Sequence, residues 1–280
     1  MWWQYLLLLP VAVVLWLLYE WLEHTWVQYT TTPVECHQIQ KNKELKICLI
    51  TDLHNNRKNF SGIFSRIRTF SPDVVLLAGD MLNKHKEKNT ETERFLSGLS
   101  ECNFPVYYSL GNHELSFSET YPERWSEYLY TLPENITVLE NTAVPLTGHP
   151  DICISGLSLP GAFYKKGKLY QNPQELPDII LPKHTFHIMM AHHPEYDYFY
   201  KKYQAHLIVS GHLHGGLLRL PYLGGVISPR YRLPAHSEGV VELSGECKMI
   251  ISRGLGSHTI PLRFFNRTEV NFIVLRGTKE

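Results

Sequence analysis

Five short apolar runs in this chain stop in the same way, on side chains able to hold a metal ion. The run at residues 106–110 (V-Y-Y-S-L) halts at Gly111, and an amide, Asn112, an imidazole, His113, and a carboxylate, Glu114, follow at once. L-K-I-C-L-I-T ends in Asp52-Leu53-His54, and D-V-V-L-L-A-G ends in Asp80. F-H-I-M-M-A ends in His192-His193-Pro194, and H-L-I-V-S-G ends in His212-Leu213-His214. Apolar runs of this length read as buried strands. A polar cluster just past the end of such a strand lies at the carboxyl edge of a sheet, where open α/β sheets keep their ligands.

The segments between these runs fix the class. Phe60, Ile63, Phe64, Ile67 and Phe70 recur at helical spacing between two of the runs, so residues 45–80 form a β-α-β unit with parallel pairing. Further helices are expected at residues 91–101, 121–132 and 195–203, and a loop at 160–183. Residues 32–39 read as a strand along a sheet edge. Helices alternate with strands first, and mostly strands follow. That order implies two sheets packed face to face with flanking helices, an α/β architecture.

Charge and cysteines exclude other classes. Lys plus Arg and Asp plus Glu both total 27, so no long-range field favours nucleic acid, and none is expected as a partner. The 5 cysteines are scattered, odd in number and without C-x-x-C spacing, which argues against a disulfide framework or a thiolate zinc site.

The amino terminus reads as an anchor. No charged side chain precedes Glu20, and residues 6–18 are almost continuously apolar. A membrane helix needs about 20 residues, and Trp2, Trp3 and Tyr5 at one end with Tyr19, Trp21 and Trp26 at the other suit aromatic belts. The expected organisation is a transmembrane anchor at 1–28, a linker and edge strand at 29–44, and a catalytic domain at 45–280. With no Lys or Arg before Lys41, and Glu20 and Glu23 just past the apolar run, the catalytic domain is expected on the extracytoplasmic side of a single-pass cell-membrane protein.

Asp52 and His54, two apart on a turn, point at one ion. Asp80 has two carboxylate oxygens with which to bridge two. Asn112 offers a carbonyl oxygen, and His192, His212 and His214 offer imidazoles. Oxygen and nitrogen ligands without thiolate suit Mn, Fe, Zn or Co. Two divalent ions about 3.5–4 Å apart clamp a phosphoryl group and acidify a water. His192, not its neighbour His193, is selected by the H-x-P spacing, and His206 is expected at the opposite sheet edge.

The joint order D-x-H, G-D, G-N-H-E, H and G-H-x-H resembles the calcineurin-like metallophosphoesterases over about residues 45–275. That resemblance implies a four-layer α/β/β/α sandwich and these roles. Asp52, His54 and His214 would hold one ion, and Asn112, His192 and His212 the other, with Asp80 bridging. His113 would contact the phosphate and protonate the leaving group. T-D-L-H-N-N, G-H-L-H-G-G and S-R-G-L-G are similar to a bacterial subgroup with one amino-terminal span, which implies a phosphodiester or pyrophosphodiester substrate, lipid-linked or a UDP-acyl sugar. A phosphomonoesterase, or a non-catalytic scaffold on the same fold, is the alternative.

Leu217 and the 228–233 segment S-P-R-Y-R-L depart from that subgroup, and Asn83 excludes the purple acid phosphatases. Arg219 and Arg253 are candidates for holding a phosphate or head group, with loop tethering as the equal alternative. Glu114 is expected to steady His113 or its turn. The basic run Lys84, His85, Lys86 and Lys88 reads as a solvated loop. Aromatic and apolar residues of the two long loops (Phe163, Tyr164, Tyr170, Leu217, Leu218, Tyr222 and Tyr231) are candidates for lining a pocket.

Overall fold

A computed structural model describes residues 8–40, 43–165, 167, 169–183, 186–216, 218–220, 224–226, 234, 236–243, 247–257 and 263–279. Its first half runs α1 (Leu8–Thr25), β1 (Gln28–Gln40), β2 (Glu44–Ile50), α2 (Phe60–Phe70), β3 (Val74–Ala78), α3 (Thr90–Ser100), β4 (Val106–Ser109), α4 (Asn112–Thr120), α5 (Pro122–Tyr130) and β5 (Ile136–Leu139). Then come β6 (Thr142–Leu146), β7 (His149–Leu157), β8 (Phe186–Ala191), α6 (Asp197–Tyr200) and β9 (Leu207–Ser210). Two short pairing strands, β10 (Arg219–Leu220) and β11 (Gly224–Gly225), precede β12 (Gly239–Glu242), β13 (Lys248–Ile251) and β14 (Glu269–Lys279).

Alternation along the strands builds the layers. In β2, Leu45, Ile47 and Leu49 face one core while Cys48 and Ile50 face another; in β3, Val74, Leu76 and Ala78 oppose Val75 and Leu77 in the same way. Both faces of a strand must therefore be covered, which is why these runs are apolar throughout instead of alternating. One six-stranded sheet has the order β1-β14-β2-β3-β4-β5, the other β12-β13-β9-β8-β7-β6. Ile188 and Met190 of β8 pack between the sheets against Leu49 and Leu76. The outer face of the first sheet carries Phe60, Ile63 and Ile67 of α2 and Phe95 and Leu99 of α3. The outer face of the second carries Phe163, Tyr196, Tyr200 and Tyr203. Cys48 and Cys153 act as small buried hydrophobes.

Local differences from the sequence reading have physical causes. The helix expected at 121–132 is α5, and a separate helix, α4, precedes it. α4 begins at Asn112, and Pro122 starts α5 after Tyr121 leaves the helical region. The helix expected at 195–203 is three successive short turns, Pro194–Tyr196, Asp197–Tyr200 and Lys201–Tyr203. Within the expected loop at 160–183 lie two 3-10 turns, Gly161–Tyr164 and Pro173–Glu175. The edge strand is longer than its alternation suggested, because β1 pairs in parallel with β14 from Gln28↔Glu269 onward. His206 lies at the amino end of β9, its Nδ1 accepting from the His187 amide at 2.9 Å, at the edge opposite His212.

The expected anchor and membrane placement are corrected. Among the described residues no helix is long and apolar enough to cross a membrane. The described stretch of α1 is Leu8–Thr25. Its last two turns, moreover, belong to the domain. Glu20 and Glu23, read as charges in water beyond a span, are 8% and 4% exposed. Buried in this way, they give no signal of orientation across a membrane. Trp2, Trp3 and Tyr5 lie outside the described residues.

Candidate metal centre

β2, β3 and β4 run parallel in one sheet, and β8 and β9 run parallel in the other. Their carboxyl ends meet along one edge, so five turns deliver their side chains to one place. Asp52, His54 and His214 form a group whose ligand atoms lie within 4.8 Å of one another; so do His54, Asp80 and His113, and Asp80, His192 and His212. All seven are buried. Asn112 opens α4 beside them, and its Oδ1 is buried without a hydrogen-bond partner.

The turns are strained to do this. Asp52, His54, Asp80, His212 and His214 have φ of 53°, 50°, 55°, 67° and 51°, a region that side chains with a Cβ adopt rarely and mostly at functional sites. Glycines before the ligands allow close approach. A Cβ on Gly111 would stand 2.2 Å from Asp80 Oδ1, and one on Gly211 would stand 2.2 Å from Asp52 Oδ2.

Hydrogen bonds set the ring tautomers. His192 Nδ1 is 2.8 Å from Ala78 O. A carbonyl only accepts, so Nδ1 carries the proton and Nε2 turns its lone pair inward. That Nε2 stands 3.1 Å from Asp80 Oδ2 and makes no hydrogen bond. Two lone pairs facing each other at that distance call for a cation between them or a second proton on the ring. Burial disfavours the proton, yet Asp80 and Asp52 outweigh it and hold His192 at about 10. Burial also works against the Asp52 and Asp80 charges. The surrounding imidazoles, His214 foremost at Asp52 and His192 at Asp80, nonetheless hold both carboxyls well below the usual range. The donor set thus demands positive charge.

The spacing suits an ion. His54 Nε2 is 3.1 Å from His214 Nε2 and 3.7 Å from Asp52 Oδ1, and His214 Nε2 is 3.5 Å from that same oxygen. Ligands bound at about 2.1 Å in tetrahedral or octahedral geometry stand roughly 3.0–3.4 Å apart. Asp80 belongs to two of the groups, and its other oxygen is fixed, because Oδ1 accepts the His113 amide at 2.7 Å.

His113 differs in kind. Its Nδ1 is 3.3 Å from the Lys84 amide nitrogen and 3.2 Å from His54 Nδ1. An amide only donates, so His113 Nδ1 is an acceptor and its proton sits on Nε2. The same inference puts the His54 proton on Nδ1 and leaves Nε2 for a metal. Burial, partly opposed by Asp80, pulls His113 down to about 3, so the ring is neutral at physiological pH. The basic run was read as mere solvated loop; the Lys84 backbone is the part of it that matters here.

Glu114 clamps the turns together. Its carboxylate accepts from the amides of Asp80 at 2.8 Å, Leu82 at 2.8 Å and Gly111 at 2.9 Å, and from Tyr108 Oη at 2.8 Å. Arg219 and Arg253 are held by carboxylates. Arg219 Nη1 pairs with Glu238, while Arg253 Nε lies 3.2 Å from Glu238 and its Nη2 3.2 Å from Glu269. Of the loop aromatics, Phe163 is fully buried in the outer core, whereas the Tyr164 ring lies 5.4 Å from that of His212. Leu217, Tyr222 and Tyr231, and the 228–233 segment, lie outside the described residues. A cavity of about 470 Å³ between α3 and α5, lined by Leu82, Phe117, Arg124 and Tyr128, contains none of the metal-site residues.

Residues 45–216 match the family model for calcineurin-like phosphoesterases. An uncharacterized metallophosphoesterase of Campylobacter jejuni is 28% identical over 85% of this chain, and the aligned region spans only 60% of that protein's length. The UDP-2,3-diacylglucosamine pyrophosphatase LpxG of Chlamydia muridarum is 24% identical over 81% of this chain and 82% of its own. Among solved structures, a 5'-nucleotidase precursor from Thermus thermophilus aligns over 77% of this chain and 50% of its own, at 14% identity and a TM-score of 0.48. The family match covers more than half of the chain and includes all five ligand-bearing strand ends, so this chain belongs to the calcineurin-like phosphoesterases, a family of metal-dependent phosphoric ester hydrolases.

Proposed function

We propose that the chain hydrolyses a phosphodiester or pyrophosphodiester with two divalent ions per chain, drawn from Mn, Fe, Zn or Co. The observation that carries the two-ion reading is that Asp80 Oδ2 lies 3.8 Å from His54 Nε2 on one side and 3.1 Å from His192 Nε2 on the other. Asp52, His54 and His214 would hold one ion, and Asn112, His192 and His212 the other, with Asp80 shared between them. When bound, such a pair polarises phosphoryl oxygens and lowers the pKa of a water.

The chain's own groups do the rest. His192 is turned by Ala78 O so that Nε2 faces inward, and His54 is turned by His113. Neutral His113 directs its Nε2–H toward a phosphoryl or leaving-group oxygen, a donor whose orientation the Lys84 amide fixes in advance. A neutral imidazole assists mainly by hydrogen bonding, which refines the expected role of proton donor. The Tyr164 ring walls the His212 side. Arg219 and Arg253 reach a substrate anion only by exchanging Glu238 for it.

Similarity to a protein named as a UDP-2,3-diacylglucosamine pyrophosphatase supports the diester and pyrophosphate class. The test is a panel at matched metal loading: bis-p-nitrophenyl phosphate, p-nitrophenyl phosphate and a UDP-linked acyl sugar. Diester or pyrophosphate turnover should exceed monoester turnover; a monoester rate well above both overturns the substrate class. His113→Ala should keep its ions and lose about 10²–10⁴-fold in turnover.

A further inference from the structure

The helix before the catalytic domain ends inside it, and its two buried carboxylates face the same loop. Glu20 and Glu23, three residues apart, share one side of α1. Glu20 Oε2 accepts the Arg263 amide at 3.0 Å. Glu23 Oε2 accepts the Asn266 amide at 2.6 Å, and Oε1 lies 3.2 Å from Arg267 Nε. Tyr19 Oη accepts the Phe265 amide at 2.6 Å. Buried carboxylates survive folding only when partnered in this way.

That loop in turn holds the turn that carries His214. His214, Gly215 and Gly216 have φ of 51°, 70° and 87°. Three successive left-handed residues cannot join a strand ladder, so their carbonyls need outside donors. Asn266 supplies two from one amide: its Nδ2 donates to His214 O at 2.6 Å and to Gly216 O at 2.7 Å. Arg263, 2% exposed, spends its guanidinium on the neighbouring turn, donating to Arg253 O at 2.9 Å and to Gly256 O. Arg263 Nη2 also lies 3.4 Å from His214 Nδ1.

We infer that Glu23 is a positioning residue for the ion held by Asp52, His54 and His214, acting through Asn266 on the His214 turn, so that α1 is part of the metal site's scaffold. This rests on the two-ion reading above. A chain cut at the expected linker would lose the scaffold with the helix.

The test uses the full chain, with Mn²⁺ titrated into metal-stripped protein and followed by calorimetry and by electron paramagnetic resonance. In Asn266→Ala and in Glu23→Ala, one of the two ions should bind about 10–100-fold more weakly while the other is unchanged. The coupled two-ion signal should then give way to that of an isolated ion. Because both variants cut one path, the double variant should be no worse than Asn266→Ala. Glu23→Gln keeps an acceptor for the Asn266 amide and should bind near wild type. Unchanged affinity for both ions in folded Asn266→Ala, even with a lowered melting temperature, overturns the inference, as does equal weakening of both. Should Glu23→Ala fail to fold, Asn266→Ala and Glu23→Gln decide. Wild type holding a single ion would sink the two-ion reading instead, and the positioning claim would then be judged on that ion's affinity in Asn266→Ala.

Discussion

Replacing Glu114 measures how much the metal-bearing turns depend on one buried carboxylate. Glu114 accepts four hydrogen bonds, three from the amides of Asp80, Leu82 and Gly111 and one from Tyr108 Oη. In Glu114→Ala all three amides lose their acceptor in a site with no exposure. Each buried unsatisfied donor costs about 1–3 kcal/mol, so the sum is roughly 3–9 kcal/mol, comparable with a domain's whole stability. Glu114→Gln should do far less harm. Its carbonyl can keep the Asp80 and Gly111 amides, and its amide group can donate to Tyr108 Oη, which leaves only Leu82 without an acceptor, a cost of about 1–3 kcal/mol. Urea unfolding of wild type and both variants, in chelator so that bound ions do not mask the difference, gives the two values. A Glu114→Ala variant destabilised by less than about 1 kcal/mol, or no more than Glu114→Gln, would refute the clamp.

Three other outcomes follow from the geometry. Gly211→Ala puts a Cβ 2.2 Å from Asp52 Oδ2, so the folded variant should lose an ion by elemental analysis while its far-ultraviolet dichroism is unchanged. Burial alone would raise the Glu269 carboxyl, but Arg253 reverses this and holds it below its ordinary 4.5. A lowered carboxyl pKa adds stability that is complete above about pH 4.5 and lost as pH falls through the folded value; Glu269→Gln should therefore flatten the acid limb of a melting-temperature profile, and an unchanged limb would contradict the pairing. His113→Ala losing ions together with activity would make His113 a ligand instead of a donor to the substrate.

Much of the site could be read from the sequence because its chemistry is local. A parallel strand covered on both faces is written as an unbroken apolar run, and the residue just past its end is the one that reaches the ligand. Asp52, Asp80, Asn112, His192 and His212 each sit within two residues of such an end. What could not be read depends on long-range pairing. β1 and β14 come together from opposite ends of the chain, and neither has a run that names its partner. Glu20 and Glu23 look like charges at a membrane surface until Arg263 and Asn266, some 243 positions away, are seen to donate to them. The clamp by Glu114 has a local signal, since it lies three residues after Gly111 in a capping pattern. Its reach to Asp80 and Leu82 does not. Nor does any residue type announce that Asp80 and His214 adopt a left-handed backbone.

The central claim is that one carboxylate, Asp80, serves two ions. Elemental analysis of metal-replete protein tests it most directly. Wild type should carry two divalent ions per chain, and Asp80→Asn should weaken both, since the amide removes the charge from each site together. At most one ion in wild type, or an Asp80→Asn variant that loses a single ion and keeps the other at full affinity, would contradict it.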